Sequence, residues 1–318
     1  MKRLFLTPVL TGLLAAPVVA QEVTYLGFSG SYGSFDGGPG PGGDATTNEL
    51  SADLEYNLDQ FYFGLALDQA GLASGPLEID FRGYVLSFGY MPTAEILAGV
   101  SLMGSEFSGF MSSEESVNGF DAFAQYVTTN FGVGASYRQP DSEDSEFSFT
   151  HVYGYFDVSP EVQVGGAVEM YGFDDYSPAY FLNGQYESGP IFVRGYGLFA
   201  PRFDEYYTGV RATYEVMPAL ALGAHFETAF GDGLPDDYQA LGASASYAIS
   251  DAISIDGNLN RISIDGGEID SYSLTLTYQT GSQKRLDRIT ERNVNDDFSA
   301  GILGLQPNLS IGGFVAGF

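Results

Sequence analysis

From residue 23 to about residue 280 the chain repeats one rhythm. A run of about ten residues alternates apolar with small or polar side chains, as a membrane-crossing strand does. A very short turn follows, then another such run, then a longer, acidic loop. Period-two alternation places successive side chains on opposite faces of a strand. It predicts sixteen strands, at 23–33, 48–58, 60–69, 78–91, 94–104, 118–128, 130–138, 146–158, 161–172, 177–187, 190–200, 204–216, 219–230, 237–249, 252–264 and 268–280. In the third, Phe61, Phe63, Leu65 and Leu67 share one face, and Tyr62, Gly64, Ala66 and Asp68 share the other. In the thirteenth, Leu220, Leu222, Ala224 and Phe226 oppose His225 and Glu227.

The connections alternate as strictly as the side chains. Short turns fall at Asp59-Gln60, Pro92-Thr93, Thr129-Asn130, Ser159-Pro160, Ser188-Gly189, Pro218 and Ser250-Asp251. Longer loops fall at 34–47, 70–77, 105–117, 139–145, 173–176, 201–203, 231–236 and 265–267. Short turns on one side, longer loops on the other and an even strand count describe an all-β chain closed as a transmembrane antiparallel β-barrel. Closure is required because lipid satisfies no open sheet edge. Aromatic residues at strand ends, Tyr56, Phe61, Tyr126, Phe131, Tyr137 and Tyr278, suit the two interfacial girdles of such a barrel.

Charge points the same way. The 318 residues include 41 acidic and 12 basic ones, a formal net charge of −29. Between residues 22 and 280 the only cations are Arg82, Arg138, Arg194, Arg202, Arg211 and Arg261, with no lysine. A soluble surface interleaves lysines with carboxylates; a surface meeting lipid does not. A soluble secreted β-sandwich or solenoid is the alternative that alternation alone would allow. The acidic balance excludes a nucleic-acid partner, whose phosphates need a basic footprint. With no cysteine there is no disulfide, no thiolate metal site and no cysteine nucleophile. Past residue 20 no run of about 18 apolar residues occurs, which excludes a helical membrane protein.

The ends differ from the middle. Lys2 and Arg3 precede an apolar run from Leu4 to Ala16, and Val18 and Ala20 suit a cleavage site, so residues 1–20 read as a secretory signal peptide. The barrel is expected over 21–280. The tail, 281–318, is charged and helix-compatible from Gln283 to Asn293, then apolar and Gly-rich to Phe318. It is periplasmic, luminal, or a final hairpin that would make eighteen strands.

In strands, turns and loops the chain resembles the general porins of the Gram-negative outer membrane. The resemblance covers about 23–280 and is architectural, without a tight motif. It implies a sixteen-stranded, water-filled pore in the outer membrane, commonly a homotrimer, in contact with lipid and lipopolysaccharide. It implies that the third long loop folds inward and sets its carboxylates against a basic cluster on the wall. Here that loop is Ser105 to Val117 with Glu106, Glu114 and Glu115, and the wall candidates are Arg82, Arg138, Arg194 and Arg211. The six arginines are a sparse complement, and loop 34–47 is as long.

Residues of inward parity include Asp53, Glu55, Glu169, Glu215, His225, Glu227 and Asp256. An aqueous lumen keeps such groups hydrated, whereas a soluble β-core would have to pair each one. The expected function is passive diffusion of small hydrophilic solutes and ions, with cations preferred because the wall is acidic. The alternative is a narrow or plugged barrel with a structural or adhesive role. No catalytic residue, cofactor or metal site is expected: His151 and His225 are the only histidines, too few for a three-histidine metal site.

Overall fold

The computed structural model describes residues 23–36, 44–74, 77–109, 115–141, 148–172, 177–200, 205–231, 238–264 and 267–281. These form β1 (Val23–Asp36), β2 (Asp44–Leu58), β3 (Phe61–Ser74), β4 (Leu77–Tyr90), β5 (Ile96–Ser108), β6 (Glu115–Val127), β7 (Phe131–Asp141) and β8 (Phe149–Ser159). They continue as β9 (Val162–Tyr171), β10 (Ala179–Ser188), β11 (Ile191–Ala200), β12 (Glu205–Met217), β13 (Leu220–Gly231), β14 (Tyr238–Ser250), β15 (Ile253–Ile264) and β16 (Gly267–Gly281). Each strand pairs antiparallel with its neighbours in sequence, and β1 closes directly on β16, from Tyr25↔Gly281 to Asp36↔Asp270. The barrel therefore closes at sixteen strands, with no place for an added hairpin in the ring. Gly281 ends β16 rather than opening the tail; the segment expected to be a signal peptide, 1–20, and residues 282–318 lie outside the described residues.

Strands β1 to β7 run farther toward the long-loop end than the alternation suggested, whereas β8, β9 and β10 stop one to three residues short of it. β1 continues to Asp36, β2 already starts at Asp44, β3 runs to Ser74, and β5 runs to Ser108 before β6 starts at Glu115. Apolar alternation marks only the stretch that meets lipid. The hydrogen-bond ladder needs only two backbones and continues past it. At the other end, the β2–β3 turn holds Asp59 at φ 54° and the β10–β11 turn holds Gly189 at φ 56°. The left-handed conformation at the first loop position matches the twist of the flanking strands in a two-residue hairpin. In the β4–β5 turn the Glu95 amide donates to the Thr93 hydroxyl at 3.3 Å. A side-chain hydrogen bond from Thr93 also holds the Glu95 carboxyl below its usual range.

The two faces of the wall are inverted relative to a soluble protein. Outward positions carry the large apolar side chains, with Leu182, Leu241 and Leu259 each more than 60% exposed. Inward positions carry Ser, Thr, Gln, Glu and His; Ser51, Glu55, Gln125 and Thr275 are buried among their neighbours. Such a distribution leaves the apolar surface to lipid and the polar surface to water. Aromatic pairs ring both rims. At the turn end Phe61 meets Tyr90 at 5.8 Å, Phe63 meets Phe88 at 5.6 Å and Tyr126 meets Phe131 at 5.8 Å. At the loop end Phe199, Tyr206 and Phe230 stack in succession, at 4.7 and 5.2 Å.

Candidate functional site: the lumen wall

Strand parity decides which charges reach the lumen, and register decides which of them meet. On β2, Glu49, Ser51, Asp53 and Glu55 all point inward, and Asp68 of β3 pairs with Ser51. Ser29 of β1 joins Ser51 through their hydroxyls, 2.6 Å apart. Tyr62 of β3 donates its hydroxyl to Glu55 at 2.9 Å. These carboxylates make β2 and β3 an acidic wall.

The opposite wall carries two arginines among its carboxylates. Arg194 of β11 stands in register with Arg211 of β12, which is in register with His225 of β13. β3 and β11 are eight strands apart in a ring of sixteen, so the acidic wall and the arginine pair face each other across the lumen. The row continues downward through amides. Gln185, in register with Arg194, donates to Gln163 at 3.2 Å, and Gln163 donates to Asp157 at 2.7 Å. Above the arginines, Tyr196 donates to Glu227 at 2.5 Å across Gly209.

Between these walls lie two charge couples. Arg138 of β7 and Asp121 of β6 are in register, with Nη2 3.7 Å from Oδ2. His151 of β8 and Glu169 of β9 are in register and joined through Nε2 and Oε2. The inward set read from the sequence, Asp53, Glu55, Glu169, Glu215, His225, Glu227 and Asp256, thus shares one face with Arg138, Arg194 and Arg211. Glu215 sits toward the turn end and is exposed; Asp256 of β15 is in register with Thr275 of β16. Among the described residues no three His, Asp or Glu side chains gather in a way that could hold a metal ion.

The constriction read for the third loop meets a different geometry. Glu106 lies on β5 and Arg82 on β4, in register with one another, and their side chains pair at 3.7 Å. Both have the parity of Tyr84, Leu86, Phe88 and Leu102, the outward-facing residues. They stand on the outer face, each about half exposed, and contribute nothing to the lumen wall. For Glu106 the reading differs because β5 extends through it and the pleat turns it outward, while Arg82 takes the outward parity of a strand already read at 78–91. Glu115 opens β6, and Glu114 lies outside the described residues. Arg261 of β15 also faces out, gripping Asp270 of β16 with two hydrogen bonds of 2.7 and 2.8 Å. The facing of Arg82 is legible in its alternation with Tyr84, Leu86 and Phe88, whereas the meeting of Arg194 with Arg211 had no signal in spacing and depends on register between strands.

No family model matches the sequence, and no curated protein matches it. Solved structures do resemble the fold. An engineered protein described for asymmetric conductivity aligns at 15% identity, over 81% of this chain and 100% of its own, with a TM-score of 0.55. A tryptophan-substituted variant of the porin from Rhodopseudomonas blastica aligns over the same shares at 13% identity and a TM-score of 0.55. Another variant of that porin aligns at 12% identity, with the same coverage and TM-score. At these identities the likeness is one of architecture: the chain has the closed, sixteen-stranded antiparallel barrel of the general porins.

Proposed function

We propose that this protein is an outer-membrane porin, a passive diffusion channel for small hydrophilic solutes that prefers cations. The observation that carries the reading is the inverted wall: apolar side chains outside, carboxylates, amides and hydroxyls inside. A lumen lined this way holds water, and transport through it needs only width and wall charge. From Glu22 to Thr280 the chain has 37 acidic and 6 basic residues, a net of 6 − 37 = −31. Fixed negative charge in a low-dielectric tube concentrates cations. The short turns then face the periplasm and the longer loops the exterior. The signal peptide is removed on export, and three copies assemble, as the likeness to general porins suggests.

Purified protein reconstituted in a planar bilayer tests the reading. It should pass a steady ohmic current, and a KCl gradient should give a reversal potential of the sign for K⁺ preference. That preference should weaken at high salt, where the screening length shrinks to about 3 Å. A sealed barrel, or anion preference at low salt, would overturn it.

A further inference from the structure

Several lumen-facing aromatic rings are almost wholly buried. Tyr153 and Tyr196 are 8% exposed and His225 is 7% exposed, although each stands on the inward parity. Every one of them is in register with a glycine on the neighbouring strand. Tyr153 faces Gly134 and Tyr155 faces Gly132. Tyr196 faces Gly209, and His225 faces Gly242.

The rings fill the space that those glycines leave open. A β-carbon on Gly132 would stand 2.5 Å from Tyr155 Cε1. One on Gly134 would strike the ring of Tyr153, one on Gly209 the ring of Tyr196, and one on Gly242 the ring of His225. Along single strands the pattern recurs, since a β-carbon on Gly64 would stand 2.7 Å from the Tyr62 hydroxyl. Backbone conformation does not explain these glycines: none is among the glycines with positive φ. Glycine weakens a strand, and in a strand interior it marks a close approach by another group. Here the approaching group is an aromatic side chain lying down against the wall.

We infer that these glycines act as sockets that set the bore of the channel. With the socket empty of a side chain, the ring lies flat and the lumen stays wide. With a methyl group in the socket, the ring must turn inward, toward the axis, because the backbone behind it is fixed by the ladder. The glycines of β7, β12 and β14 are therefore size-determining residues although they carry no side chain. This inference rests on the reading of the barrel as a diffusion channel and names what limits solute size in it.

The test is a cycle on one socket, Gly134→Ala, Tyr153→Ala and both together, repeated with Gly132 and Tyr155. Single-channel conductance in KCl and exclusion by graded polyethylene glycols are the readouts. Gly134→Ala should lower conductance about twofold and shrink the polymer cutoff, as a narrowed pore radius requires. Tyr153→Ala should conduct at least as well as the parent, and the double variant should match Tyr153→Ala. Unchanged conductance in Gly134→Ala, or a double variant as low as Gly134→Ala, overturns the inference. Should Gly134→Ala fail to assemble, the double variant must still assemble and conduct like Tyr153→Ala; its failure also overturns it. A parent protein that passes no current refutes the channel reading instead. The sockets are then read by nitration of Tyr153 with tetranitromethane, mapped by mass spectrometry. Gly134→Ala should raise that nitration severalfold, and unchanged nitration would refute the sockets.

Discussion

Leu274 lies midway along the fifteen-residue strand β16, on its outward face and 58% exposed. Ser273 beside it faces the lumen, in register with Asn258 of β15 and Gly33 of β1. Arginine at each position separates the two faces of the wall. The apolar band of such a barrel is about 25 Å tall, so a mid-strand residue stands roughly 12 Å from either edge. An arginine side chain there cannot carry its charge to water, and the cost is about 2–4 kcal/mol. That range corresponds to a fall of about 30- to 1000-fold in the folding equilibrium. Ser273→Arg places the same charge in an aqueous, net acidic lumen and should cost under about 1 kcal/mol, within the range of ordinary exposed substitutions. Urea titration of protein refolded into lipid vesicles, read by the gel-mobility difference between folded and unfolded barrel, measures both. Equal destabilisation by the two variants, or a neutral Leu274→Arg, would refute the assignment of faces.

Replacing Arg194 and Arg211 together with Gln removes the arginine pair and should strengthen the preference for K⁺, whereas Arg82→Gln, on the outer face, should leave the reversal potential unchanged. Asp53→Asn with Glu55→Gln should shift the reversal potential the opposite way, toward the anion, in the same bilayer measurement. Asp59→Ala keeps the left-handed turn but loses a residue that tolerates it, and should destabilise the barrel by about 1 kcal/mol in urea. Arg261→Ala breaks an ion pair that solvent screens, so the urea midpoint should hold.

Much of this protein is local in origin and so was legible along the chain. Period-two alternation is a property of each strand by itself, and it separates Leu222 and Phe226 from His225 and Glu227 without knowledge of any neighbour. Turn residues such as Asp59 and Gly189 likewise announce their hairpins. The long-loop ends were misjudged because alternation reports contact with lipid, while the ladder that defines a strand continues beyond it; Glu106 was lost from the lumen in this way. What stands beside what is a different kind of fact. That Arg194 meets Arg211, that Tyr153 lies on Gly134, and that β1 closes on β16 at sixteen strands all depend on register. Register is set by the summed pairing of whole strands, and a slip of one residue would exchange the two faces of the wall. The sequence alone therefore determined that there are two faces and which side chains share each strand's lumen side. Only the closed barrel decided which of those side chains touch, because contact is made across strands, between residues that no spacing along the chain relates.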